Sequence, residues 1–192
     1  MRSRARLLRS GKSTTYGESR IVSGGDTLAL FVGVFGLPRP SAVKLIPWQP
    51  VVTAAHSIEM PWIPGVMPSF TQHFKARWIV GGPPFTGVSH PDNVIELGMR
   101  DSGRASEYHV LAMADFIPPI ALSYVKERIA AASVTWMLEM LAEDVSALPL
   151  DGWRVDAQMM AADSGYTNQS LMLWGPGGVP VALGRQCMVV FG

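Results

Sequence analysis

Two polar residues, Gln186 and Asp115, stand among apolar neighbours and are the first candidates for chemistry. Gln186 lies on the last β-type segment, where Ala182, Gly184 and Met188 share its face. Asp115 closes the apolar stretch LAMA, where a helix should end, and negative charge at a helix C-terminus is mildly unfavourable. A hydrogen-bonded core amide and an exposed helix-end carboxylate are the structural alternatives. The placement of both residues favours a functional role.

Motifs for covalent or metal-dependent chemistry are missing from the sequence. Neither a G-x-S-x-G nor a Cys-His signature is present, so nothing supports an acyl-enzyme route. Cys187 follows Gln186 directly and should face the opposite way, as a small core residue. The four histidines show no metal-ligand spacing, and His109 is more simply explained as a packed or surface residue. We therefore expect neither a metal nor another cofactor.

The composition limits the kinds of partner that the protein is expected to bind. Charged residues make up 16% of the 192 residues, below the typical quarter, which favours a homo-oligomer or an apolar cleft. A net charge of +1 gives no broad basic field for nucleic acid. No apolar run approaches the roughly 18 residues of a membrane span. With a single cysteine, the chain cannot form an internal disulfide, and we expect a cytoplasmic location.

Three regions follow one another along the chain. Residues 1–36 are predicted to form strands joined by SGK and SGGD turns. Residues 37–69 contain so many prolines that neither a helix nor a central strand should persist, which indicates a connector across the surface. Residues 70–192 show alternating segments around one helix. This order predicts an α+β fold with a helix packed on a curved antiparallel sheet.

Two segments of the third region matter most. The helix is expected within 106–114, with Ser106 as its N-cap and a stripe formed by Val110, Leu111 and Ala114. The segment AASVTWMLEML is a predicted strand. Simple alternation puts one set of its residues on one face (Val134, Trp136, Leu138 and Met140) and another set on the other (Ser133, Thr135, Met137 and Glu139).

The ordered set FKARWIVGGPPF, LAMADFIPP, ASVTWMLEML, SGYTNQSLMLW and GGVPVALGRQCMVV resembles the second half of the type II acyl-CoA thioesterase family. The resemblance implies a hot-dog fold, an antiparallel sheet wrapped around a central helix, for residues 70–192. It also implies that residues 1–36 are the C-terminal strands of a truncated first hot-dog, joined by the connector 37–69.

Residue by residue, the resemblance implies a water-holding site of Asp115, Ser133 and Gln186. Thr135 is the alternative hydroxyl. An Asp can accept a proton from water, while a hydroxyl and an amide carbonyl hold the water's other hydrogen-bonding positions. The implied activity is hydrolysis of fatty acyl-CoA to free fatty acid and CoA, and the implied partner is the acyl-CoA substrate.

Two other functions stay open at this point. A non-catalytic acyl-CoA-binding or assembly module of the same fold would bind the substrate without releasing thiol. A hot-dog hydratase would require an Asp-His pair, and none at suitable positions stands out.

Overall fold

The computed structural model describes residues 1–192, which form two compact units, Met1–Leu45 and Ile46–Gly192. The N-terminal unit is an antiparallel sheet of three strands, β1 (Arg2–Ser10), β2 (Thr14–Ser23) and β3 (Asp26–Gly36), paired in that order. Gly24 and Gly25 make the β2–β3 turn with φ of 60° and 101°, a region that glycine enters without steric cost.

The C-terminal unit is one sheet of seven strands with a single α-helix. Its neighbouring strands are all antiparallel, in the order β4-β5-β6-β8-β9-β10-β7. The elements in chain order are β4 (Ile58–Glu59), β5 (Phe74–Val80), β6 (Asp92–Met99), α1 (Glu107–Ala114), β7 (Ala130–Met140), β8 (Trp153–Asp163), β9 (Tyr166–Gly175) and β10 (Val179–Phe191). A 3₁₀ turn, Ile120–Ser123, follows α1.

The core of this unit lies between α1 and one face of the sheet. Alternating side chains of β8 and β9, such as Val155 and Leu173, are fully buried in one cluster with Val110 and Met113 of the helix. The predicted helical stripe is wrong at Leu111, which is 40% exposed, because Met113 takes the buried position instead. Burial, rather than intrinsic propensity, holds so short a helix in place.

Our predicted division of the chain at residues 36 and 69 stays a prediction. Within 37–69, Ile58–Glu59 forms the short edge strand β4 against β5. No helix of the structure is long and apolar enough to cross a membrane.

The N-terminus of α1 is held by an unusual capping residue. The backbone N–H of Ser106 donates to His109 Nδ1 at 3.0 Å, and the Ser106 hydroxyl lies 2.8 Å from the same nitrogen. A side chain at the third helical position thus satisfies the N-cap backbone, the part normally taken by Glu or Gln. His109 therefore caps the N-terminus of the helix, whereas Asp115 lies at the C-terminus.

Replacing His109 by alanine should remove this cap and lower the free energy of unfolding by about 1 kcal/mol. Urea unfolding at neutral pH measures the change. Tyr108→Ala is the matched control, because Tyr108 is adjacent on the same helix and 81% exposed. An equal decrease in the free energy of unfolding in the two variants would contradict the capping role of His109.

Candidate active site

The structure brings Asp115, Ser133 and Gln186 together around one amide group. Gln186 Nε2 donates to Ser133 Oγ at 2.7 Å and to Asp115 Oδ1 at 3.4 Å. The three residues come from β7, β10 and the end of α1. Residues up to 71 positions apart in sequence thus meet at one point.

A β-bulge at Val134 decides which hydroxyl group enters the site. The pairing of β7 with β10 shifts by one residue at this point, so Val134 has no partner on β10. Side chains opposite each other in a pair share a face of the sheet. The register pairs are Gln186 with Trp136, Cys187 with Thr135, and Met188 with Ser133.

This bulge corrects our expectation for β7. Strict alternation put Ser133 on the same face as Thr135, which is wrong, because the extra residue resets the alternation between them. Ser133 shares the inner face with Gln186. Thr135, the alternative hydroxyl, is paired with Cys187 on the outer face and is therefore excluded from the site. Cys187 faces away from Gln186, as predicted, but is half-buried rather than part of the core.

Gln186 is a buried amide with one polar atom left over. Gln186 is only 4% exposed. Its Nε2 makes two hydrogen bonds, whereas its Oε1 has no hydrogen-bond partner. A buried carbonyl oxygen without a donor costs free energy. The Gln186 nitrogen, in contrast, joins a carboxylate and a hydroxyl at one point.

Asp115 is the C-cap of α1. Its backbone N–H donates to the carbonyl groups of Leu111 and Met113, which fixes the residue at the last turn. The residue as a whole is exposed and lines the cavity described below. Partial burial of the carboxyl group nevertheless raises the pKa of Asp115 above its ordinary value, and the hydrogen bond from Gln186 offsets part of that rise. Burial is the larger effect, so the carboxylate is more basic than an exposed aspartate.

A cavity of about 750 Å³ opens onto all three residues. Its size lies within the range of small-molecule sites. Phe85 in its wall has a φ of 67°, which is rare outside glycine, and its N–H donates to the Leu122 carbonyl at 2.8 Å. Other large apolar residues of the lining include Met60, Met67, Phe116, Leu122 and Met188.

Part of this lining could not be predicted from the sequence. Met60 and Met67 belong to the segment that we expected to cross the surface, and no local pattern marks them as pocket residues. Of the other methionines, Met188 lines the cavity, whereas Met137 and Met160 are exposed. Gln169, a buried amide beside Gln186 on β9, was also missed.

The model of the family described as acyl-CoA thioesterase C-terminal domain matches residues 47–190, three quarters of the chain. The chain belongs to this family. This match confirms the predicted resemblance to the acyl-CoA thioesterase family. Comparison with curated protein sequences gives no significant match.

Solved structures similar to this thioesterase domain establish its fold. A conserved protein of unknown function with a hot-dog fold from Alicyclobacillus acidocaldarius has a TM-score of 0.84 at 19% identity, over 99% of this chain and 72% of the other. A putative thioesterase II from Thermobifida fusca has a TM-score of 0.72 at 18% identity, over 99% of this chain and 72% of the other. An acyl-CoA thioesterase II from Mycobacterium marinum has a TM-score of 0.67 at 14% identity, over 99% of this chain and 73% of the other. The predicted α+β hot-dog is thus confirmed.

The raised pKa of Asp115 has a consequence for stability. Because the folded state binds this proton more tightly than the unfolded chain, ionised Asp115 weakens the fold as pH rises through and above the ordinary aspartate pKa of about 3.9. Asp115→Asn should therefore unfold at a higher urea concentration than the natural protein at neutral pH. The difference should vanish in acid, where both side chains are neutral.

Asp144→Asn provides a control of opposite sign. The backbone N–H of Ser146 donates to Asp144 at 2.7 Å and lowers the pKa of that carboxyl group. This stabilisation exists above the ordinary aspartate pKa, so Asp144→Asn should lose stability at neutral pH. If Asp115→Asn also lost stability there, burial would not be the dominant influence on Asp115.

Proposed function

We propose that the protein hydrolyses acyl-CoA thioesters to free fatty acid and CoA, with a water molecule activated by Asp115, Ser133 and Gln186. The observation that carries the proposal is the shared amide contact: Gln186 Nε2 donates to both Ser133 and Asp115 beside an apolar cavity. Membership of the acyl-CoA thioesterase family supports the same reaction class.

Each of the three residues has a distinct part in the proposed reaction. Asp115 accepts a proton from water as its oxygen attacks the thioester carbonyl carbon. Gln186 Nε2 donates to both of the other side chains and so holds the carboxylate and the hydroxyl beside the attacking water. The Ser133 oxygen accepts from Gln186, so its O–H group is left to donate to the attacked oxygen or the water. Collapse of the tetrahedral intermediate breaks the C–S bond, and Asp115 returns its proton to the departing sulfur, which leaves as the CoA thiol.

The apolar lining of the cavity suits a fatty acyl group. Each methylene buried there contributes about 0.8 kcal/mol to binding. Flexible methionines such as Met60, Met67 and Met188 can adapt to a chain of variable shape. We therefore propose fatty acyl-CoA, rather than a small polar thioester, as the substrate class.

Asp115→Asn tests the proposed base. The variant keeps the shape of the side chain but cannot accept a proton, so kcat for acyl-CoA hydrolysis should fall by roughly 10²-fold or more. Release of free CoA thiol is the measurement, and circular dichroism verifies the fold. Unchanged turnover would remove Asp115 from the mechanism. A natural protein that binds acyl-CoA and releases no thiol would instead be the binding module considered from the sequence.

Ser133 and Thr135 form a matched pair for testing the hydroxyl. Ser133→Ala should lower kcat by about 10²-fold, the usual effect of losing one hydrogen-bond donor at the reacting centre. Thr135→Val should leave kcat unchanged, because Thr135 lies on the outer face of the same strand. Loss of activity in Thr135→Val alone would mean that the bulge at Val134 does not set the site.

A further inference from the structure

A second buried amide, Gln169, lies next to Gln186 but makes different contacts. The two residues are directly opposite each other in the β9–β10 pairing, on the face that packs against the helix. Gln169 is 1% exposed. Its Oε1 accepts a hydrogen bond from the Ile120 backbone N–H at 2.9 Å, and its Nε2 donates to the Pro118 carbonyl at 3.4 Å. Both functions of the amide are therefore used.

The segment that Gln169 contacts, residues 118–120, lacks hydrogen-bond partners from regular secondary structure for part of its backbone. Pro118 and Pro119 have no N–H, so Ile120 supplies the first backbone donor after Ile117. The segment belongs to no strand, and its polar groups require partners from elsewhere. One glutamine satisfies a donor and an acceptor two residues apart. Glutamate lacks the donor when ionised, and asparagine is one methylene shorter.

The same segment connects the carboxylate of the site to the sheet. Only Phe116 and Ile117 separate Asp115 from Pro118, and both prolines line the cavity. Gln169 itself is not among the residues that line it. Gln169 therefore acts on the position of its neighbours rather than on a bound substrate.

We propose that Gln169 is a positioning residue, which anchors the Pro118–Ile120 backbone to β9 and thereby holds Asp115 within reach of the Gln186 amide. The catalytic consequence of this role rests on the proposed function, whereas the structural role does not. The contact at stake is the 3.4 Å hydrogen bond from Gln186 to Asp115, already at the long end of the range. A small displacement of the segment would break it.

Gln169→Met tests the anchor, because methionine has a similar length and makes neither hydrogen bond. Carbon-13 NMR titration of aspartate carboxyl groups should show a higher pKa for Asp115 in the variant, since the donor that lowers it is withdrawn. The missing signal in Asp115→Asn assigns the resonance. Other charged residues that line the cavity are Glu59 and Arg128, and the variant leaves both in place.

Thr167→Val is the matched control. Thr167 lies two residues before Gln169 on the same strand face, is 1% exposed, and its hydroxyl has no hydrogen-bond partner. This variant should leave the Asp115 titration unchanged. If Gln169→Met does not fold, Gln169→Asn replaces it, because it keeps an amide in the core but does not reach both partners.

The kinetic measurement separates this proposal from the preceding one. With acyl-CoA as substrate, Gln169→Met should lower kcat by roughly tenfold to 100-fold with little change in KM, as expected for a misplaced base. A folded Gln169→Met protein whose Asp115 titrates as in the natural protein would overturn the positioning role. If the pKa of Asp115 is higher in Gln169→Met but the natural protein hydrolyses no acyl-CoA, the positioning role is supported and the proposed function is refuted.

Discussion

The extra residue at Val134 in β7 is the constraint on which the candidate site depends. Without it, the alternation of the strand would turn Ser133 to the outer face and leave Gln186 with only the distant carboxylate to contact. The bulge is tolerated here because β7 is an edge strand, so only the ladder with β10 is interrupted. In a central strand the same insertion would disturb two ladders. The position of β7 in the sheet and the geometry of the site are therefore linked.

Asp115 adds a second constraint, because its location is unfavourable for a carboxylate in two ways. It lies at the C-terminal end of a helix, where the partial charge is negative, and burial raises its pKa. The hydrogen bond from Gln186 offsets only part of this effect. Such a carboxylate lowers the stability of the fold but accepts a proton more readily, which is the property that the proposed reaction requires.

The resemblance seen in the sequence allowed the hot-dog fold to be predicted and named three candidate site residues, but not the local geometry that brings those residues together. The bulge at Val134 leaves no mark in composition, because no glycine or proline accompanies it, and strict alternation therefore failed for Ser133. Gln169 was missed because it stands in the polar run TNQS, where a strand amide looks exposed. Its burial depends on Pro118 and Ile120, which lie about 50 positions earlier and pack on it only in the folded chain.

The paired amides on β9 and β10 show how one side-chain type serves two purposes in one buried layer. A glutamine brings a donor and an acceptor into the core without the desolvation cost of a charge. In Gln169 both groups are satisfied by backbone, so the residue has nothing left to offer a ligand. In Gln186 both contacts go through the nitrogen, and the oxygen stays free. Burial alone would not tell the two apart. Their partners do: Gln169 contacts only backbone groups, whereas the nitrogen of Gln186 contacts two polar side chains that line the cavity, Ser133 and Asp115.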